Sequence, residues 1–111
     1  GKQRPECAVQ FGRQAFVKTV ESQVKTMGRQ SRGCRVEAQT CMKLACSLDG
    51  GISWCNDGVE AITRPCALIA RDAMRVVTRC KHGIKRHSRN WAQGEIRDSD
   101  RSRVVVNQSG C

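Results

Sequence analysis

His82 and His87 stand within RCKHGIKRHSR, residues 79 to 89, among Arg79, Lys81, Lys85, Arg86 and Arg89 and with no acid in the stretch. Ribonuclease chemistry needs two groups that titrate near neutrality beside cations that hold a phosphate, and Glu60 or Glu95 could serve as a further acid or base. The spacing is no recognised catalytic signature, and both histidines fall in what reads as an exposed loop. Catalysis therefore ranks below binding: the chain is read as not an enzyme, with no catalytic residue assigned. Metal ligation by Cys80, His82 and His87 ranks lower still, because Cys80 is better used in a disulfide. No metal or other cofactor is expected.

That use of Cys80 follows from the cysteines as a set. Cys7, Cys34, Cys41, Cys46, Cys55, Cys66, Cys80 and Cys111 make eight, spread over 111 residues. A chain of this length reads as a single domain, residues 1–111, whose one core closes too little apolar surface to be comfortable without crosslinks. Structural zinc favours cysteine pairs presented from one tight turn, and there is no C-x-x-C; the closest pair is Cys41 and Cys46. The reading is four disulfides in a secreted, extracellular protein, with the pairing left open by spacing. The polar start GKQRPEC reads as a mature product whose leader has been removed, and no apolar run approaches the roughly 20 residues that cross a bilayer.

The net charge is +10, with two Phe, two Trp and no Tyr. Such a balance favours phosphate, anionic lipid, acidic glycan or an acidic protein mouth. With few aromatic stacking platforms, and no helix-turn-helix, zinc finger or RNP-type strand, sequence-specific nucleic-acid recognition is not expected. The charge is also uneven. From Arg75 to Arg89 there are six basic residues and no acid, whereas Leu44 to Thr63 holds Asp49, Asp57 and Glu60 and no base. Arg75, Arg79, Lys81, Lys85, Arg86 and Arg89 are thus the candidate binding face, weighed against a merely solvated one. Lys25, Arg29, Arg32 and Arg35 could extend it.

Smaller signals are Lys85-Arg86 and Arg29 to Arg32, two basic sites for secretory-pathway proteases that are read as uncut, and Asn107-Gln-Ser109, a candidate N-glycosylation acceptor. Gly50, Gly51 and Gly58 read as turn glycines, and Trp54 and Trp91 as packing residues. An exposed Trp91 beside Arg89 would instead suit a membrane or glycan contact.

The elements that must position these groups follow from periodicity. Residues 6 to 11, ECAVQF, read as a strand. Phe16, Val20, Val24 and Met27 form one helical stripe that ends at Gly28. Met42, Leu44, Cys46 and Leu48 alternate on one strand face, SLDGG turns, and ISWC returns, so residues 42 to 55 read as a β-hairpin. Ile62, Cys66, Ile69, Ala73, Val76 or Val77 and Cys80 form the strongest helical stripe, beginning near Thr63 or Arg64 with Thr63 as N-cap. Cys66 and Cys80 lie about 21 Å apart along that helix, so they cannot bond each other and must reach two different partners. NWAQGEIRD and RSRVVVNQSGC form a closing hairpin. The expected fold is α+β: two helices on one face of a mainly antiparallel β-sheet, an α/β-sandwich stapled by disulfides. A mostly helical disulfide-rich domain is the alternative.

The helix with cysteines near both ends, PCALIARDAMRVVTRC, and the closing strand on a terminal cysteine, RVVVNQSGC, together with the size and basic balance, resemble the small secreted killer toxins of smut fungi and the cysteine-rich effectors of plant-pathogenic fungi. The resemblance covers mainly the second half, and no functional residue is carried over from it. It implies an α/β-sandwich protein secreted by a fungus, acting on competing fungi or a plant host, without a cofactor. The expected function is a secreted, non-enzymatic toxin or effector whose cationic face docks on an acidic protein or membrane target of another cell, working as a monomer. The alternatives are a membrane-disrupting antimicrobial protein, a ribonuclease-like enzyme and a hormone- or cytokine-like ligand.

Overall fold

The computed structural model describes residues 4–7, 13–83 and 90–108. The expected strand over residues 6 to 11 lies mostly outside them. Along the chain come β1 (Ala15–Phe16), α1 (Val17–Gly28), β2 (Gly33–Val36), β3 (Thr40–Ser47), β4 (Gly50–Asn56), β5 (Ile62–Pro65), α2 (Cys66–Cys80), β6 (His82–Gly83), β7 (Asn90–Ala92), β8 (Gly94–Arg97) and β9 (Ser102–Asn107). The main sheet has the order β3-β4-β9-β8 and every pairing is antiparallel. Two small antiparallel sheets flank it, β2-β5 and β1-β7-β6. With α1 and α2 packed on each other and on the main sheet, this is the expected α+β, disulfide-stapled fold, and the mostly helical alternative is excluded.

Register explains the core. Ile52 faces Val106, Trp54 faces Val104, and Ile96 faces Val104 from the other side, so these side chains share one sheet face. All are buried, and above them lie Val17, Val20 and Met27 of α1 and Ile69, Ala73, Val76 and Val77 of α2. Trp54 is fully buried, as the packing reading requires, and Trp91 is half-buried, its ring 5.6 Å from that of Phe16.

Three sequence expectations need correction. Phe16 does not open the helical stripe: it pairs with Trp91 in β1, and α1 begins at Val17. The α2 helix begins at Cys66, and Thr63 is no N-cap: Ile62 to Pro65 form β5 against β2. The physical reason is Pro65, which disfavours helical backbone in the residue before it and leaves the preceding segment extended. Finally, Met42, Leu44, Cys46 and Leu48 do not share a buried face. A bulge between Lys43 and Ala45 shifts the pairing, so Met42 stands opposite Trp54 but Ala45, not Leu44, stands opposite Ile52. Beyond the bulge the parity is reversed. Cys46 is exposed, and Leu48 in the turn is 93% exposed.

The glycines are not all turn residues: Gly50 and Gly51 lie inside β4. Gly94 matters most for packing. A Cβ there would stand 2.6 Å from the carbonyl oxygen of Glu6, 2.9 Å from Cys80 Sγ and 3.0 Å from a Val76 methyl. Only glycine lets β8 approach both the N-terminal segment and the end of α2. Gly94→Ala is expected to cost about 1–3 kcal/mol through overpacking. Urea denaturation checks this, and an unchanged midpoint would contradict the close packing.

Candidate cationic docking face

Helix α2 buries Cys66, Ile69, Ala70, Asp72, Ala73, Val76, Val77 and Cys80. The opposite side must then carry what remains, and residues four apart on a helix are neighbours. Arg71, Arg75 and Arg79 therefore form one exposed row, each about 6 Å from the next along the axis. Together with Pro5, Met74 and Thr78 they line an open groove of about 540 Å³.

The wall at Pro5 is held in place covalently. Cys7 is bonded to Cys80, and Glu6 exchanges two backbone hydrogen bonds with Glu95 of β8, at 2.7 and 2.8 Å. At its other end α2 is held by Cys34–Cys66, and the Cys66 amide donates to the Arg32 carbonyl at 3.2 Å. Cys66 and Cys80 thus reach two different partners, one at each end of the helix. Cys41–Cys55 crosses the β3–β4 hairpin. Cys46 is also disulfide-bonded, and Cys111 lies outside the described residues.

Some arginines are held in ion pairs, while others, Arg13, Arg29, Arg32 and Arg101 among them, are exposed and without an ion pair among the described residues; on α2 three exposed guanidiniums stand in one row. Arg64 sits between Asp98, at 3.2 Å, and Asp100, with its guanidinium over the Trp54 ring at 5.9 Å. Arg103 pairs with Asp57 at 3.0 Å, Arg97 with Glu95 at 3.0 Å, and Arg35 with Glu37 at 2.9 Å. On α2 only Arg75 has a carboxylate near it, Asp72 at 4.0 Å, while its own side chain stays 45% exposed. Among the described residues, no ion pair engages Arg71, Arg79 or Lys81.

Of the six residues expected on the binding face, Arg75 and Arg79 are in this row and Lys81 follows at the exposed C-cap of α2. Lys85, Arg86 and Arg89 lie outside the described residues, as does His87. Arg71 was missed because the charge count began at Arg75, although the repeat 71, 75, 79 was present in the sequence. Of the second cluster, Lys25 and Arg29 are exposed at the C-terminal end of α1, and two members can be placed relative to the row. Arg32 adjoins Cys66, about 20 Å along α2 from Arg79, and Arg35 is neutralised by Glu37. Nor is there one acidic patch: Asp49 and Asp57 flank opposite ends of β4, about 26 Å apart at strand rise.

Among the described residues, no cluster of His, Cys, Asp and Glu is placed to hold a metal, and His87 of the catalytic alternative lies outside them. His82 is exposed in β6, and no hydrogen bond or ion pair joins it to Glu60 or to buried Glu95. Cys80, bonded to Cys7, has no thiolate to offer a metal. Asn107 is only 6% exposed at the end of β9, which is not the accessible setting a glycan acceptor needs.

The class defined by these observations is a disulfide-stapled α+β domain that presents a row of arginines. Compared with known protein families, curated proteins and solved structures, the chain has no match.

Two arginines test the division between structure and surface. Arg64→Ala is expected to cost about 1–3 kcal/mol, because it removes the cation shared by two partly buried carboxylates and its stack on a core ring. Arg79→Gln should stay within about 0.5 kcal/mol of the parent. Urea midpoints of the two variants check this, and equal losses would contradict it.

Proposed function

We propose that this chain is a secreted, non-enzymatic toxin or effector that docks a cationic face on an acidic target of another cell, such as a channel mouth, a receptor or another acidic surface component. The observation that carries the reading is the α2 row of Arg71, Arg75 and Arg79, exposed and, apart from the marginal Asp72 contact, without carboxylate partners among the described residues. Charges placed for the fold neutralise each other; charges left open are available to a partner and raise the rate of encounter with an acidic one. Three disulfides in so small a domain are consistent with an extracellular setting and keep the face rigid there. The resemblance to fungal killer toxins and plant-pathogen effectors supports the same reading.

Receptor docking is favoured over membrane disruption by the distribution of apolar surface. Among the described residues, the large exposed apolar side chains are Met42, Leu48, Val59 and Leu68, and only Leu68, 36% exposed, is on α2. Among the described residues, no helix is long and apolar enough to cross a membrane. A disruptive interfacial helix needs a broad apolar face opposite its charges, and the apolar face of α2 is spent on the core.

The triple variant R71Q/R75Q/R79Q is expected to lose binding to sensitive cells and inhibition of their growth, while anionic vesicles stay intact with either protein. Raising the salt should weaken binding of the parent progressively. Salt-independent binding that the triple variant retains would overturn this reading, and leakage of anionic but not neutral vesicles would replace it with membrane disruption.

A further inference from the structure

We infer that the groove beside α2 is a binding site for an extended acidic peptide segment of the partner, one in which Asp or Glu alternates with apolar residues. This rests on the docking function proposed above and names its ligand.

Three features of the groove select that chemistry. The first is spacing. Arg71, Arg75 and Arg79 recur about every 6 Å along the helix axis, and alternate residues of an extended strand recur about every 6.6 Å. Carboxylates at every second residue of a strand laid along α2 therefore meet successive guanidiniums nearly in register. Arginine, with its planar fork, suits bidentate capture of each carboxylate.

The second feature is the apolar part of the lining. Met74 is half-buried and packed against the core, and with Pro5 and the Thr78 methyl it gives the groove apolar surface between its charges. A bare polyanion such as a sulfated glycan or a nucleic-acid backbone would leave that surface unused. A strand that sends carboxylates to one side and apolar side chains to the other divides between the arginines and the Pro5–Met74 surface. Met74, with its flexible thioether, adapts to apolar residues of different shape.

The third feature is size and rigidity. The groove is open along its length and holds about 540 Å³, room for a short extended segment laid along α2. The Cys7–Cys80 bond and the Glu6–Glu95 bridge fix the Pro5 wall before any ligand arrives, so little ordering cost is left to binding.

The test uses the full, oxidised chain and a fluorescein-labelled heptapeptide of alternating Glu and Leu, read by fluorescence anisotropy. Oligoglutamate of equal charge, a heparin fragment and phosphatidylserine vesicles are the competitors. The alternating peptide is expected to bind at least about tenfold tighter than oligoglutamate. R71Q/R75Q/R79Q should remove the binding, and Met74→Gln should weaken it about threefold or more through lost apolar contact. Lys18→Gln on α1 should leave it unchanged. Circular dichroism and a full disulfide count confirm that each variant is folded. Oligoglutamate, heparin or vesicles binding as tightly as the alternating peptide, with no effect of Met74→Gln, would overturn the peptide assignment. Groove variants that bind the peptide like the parent would also overturn it. Failure here is separable from failure of the docking function: that function survives if the arginine variants still lose binding to sensitive cells.

Discussion

Everything in this molecule depends on α2 being tied at both ends. Cys34–Cys66 joins its first residue to β2, and Cys7–Cys80 joins its last to the N-terminal segment. The sequence separations are 32 and 73 residues, and by the chain-entropy model closing such loops removes about 3–4 kcal/mol or slightly more of unfolded-state freedom each. For a domain near the small end of what one core can stabilise, that is comparable to its whole net stability. The second bond also explains Gly94: strand, helix end and N-terminal segment converge where no Cβ fits. The same convergence puts Pro5 beside Met74 and makes a groove out of what would otherwise be one exposed helix face.

A net charge of +10 opposes compaction unless it is spread or paired. Four sheet and loop arginines are paired, Arg64 with Asp98 and Asp100, Arg103 with Asp57, Arg97 with Glu95 and Arg35 with Glu37, while Arg13, Arg32 and Arg101 are exposed without an ion pair among the described residues. On α2 the single acid, Asp72, is buried and lies 4.0 Å from Arg75, whose side chain stays 45% exposed.

How much of this could be read from the chain depended on how local each signal was. Helix α2 was legible because its stripe is long, and at helical rise the fourteen-position separation of Cys66 and Cys80 puts them about 21 Å apart, too far to bond each other. The hairpin from β3 to β4 was legible from its turn and alternation. What failed depended on the pairing partner. The bulge after Lys43 reverses which side of β3 faces inward, and nothing in MKLACSL announces it. Ile62 continued the helical stripe in sequence but belongs to β5, because β2 was available to pair with it. At the candidate face, Arg75 and Arg79 were found from charge alone and Lys81 from its neighbourhood. Arg71 needed the helical period to be applied to the charges as well as to the apolar residues. Pro5 and Met74 as groove lining were out of reach, since the Cys7–Cys80 bond and the Glu6–Glu95 bridge bring the N-terminal segment there, and spacing can choose neither pairing.

The central claim is that α2 is clamped at both ends and that this clamp fixes the arginine row in place. Its most direct test is disulfide mapping by mass spectrometry of a non-reduced proteolytic digest of the native protein. The account predicts peptides linked through Cys34–Cys66 and Cys7–Cys80. Free thiol at either end of α2, or either cysteine crosslinked elsewhere, would contradict it.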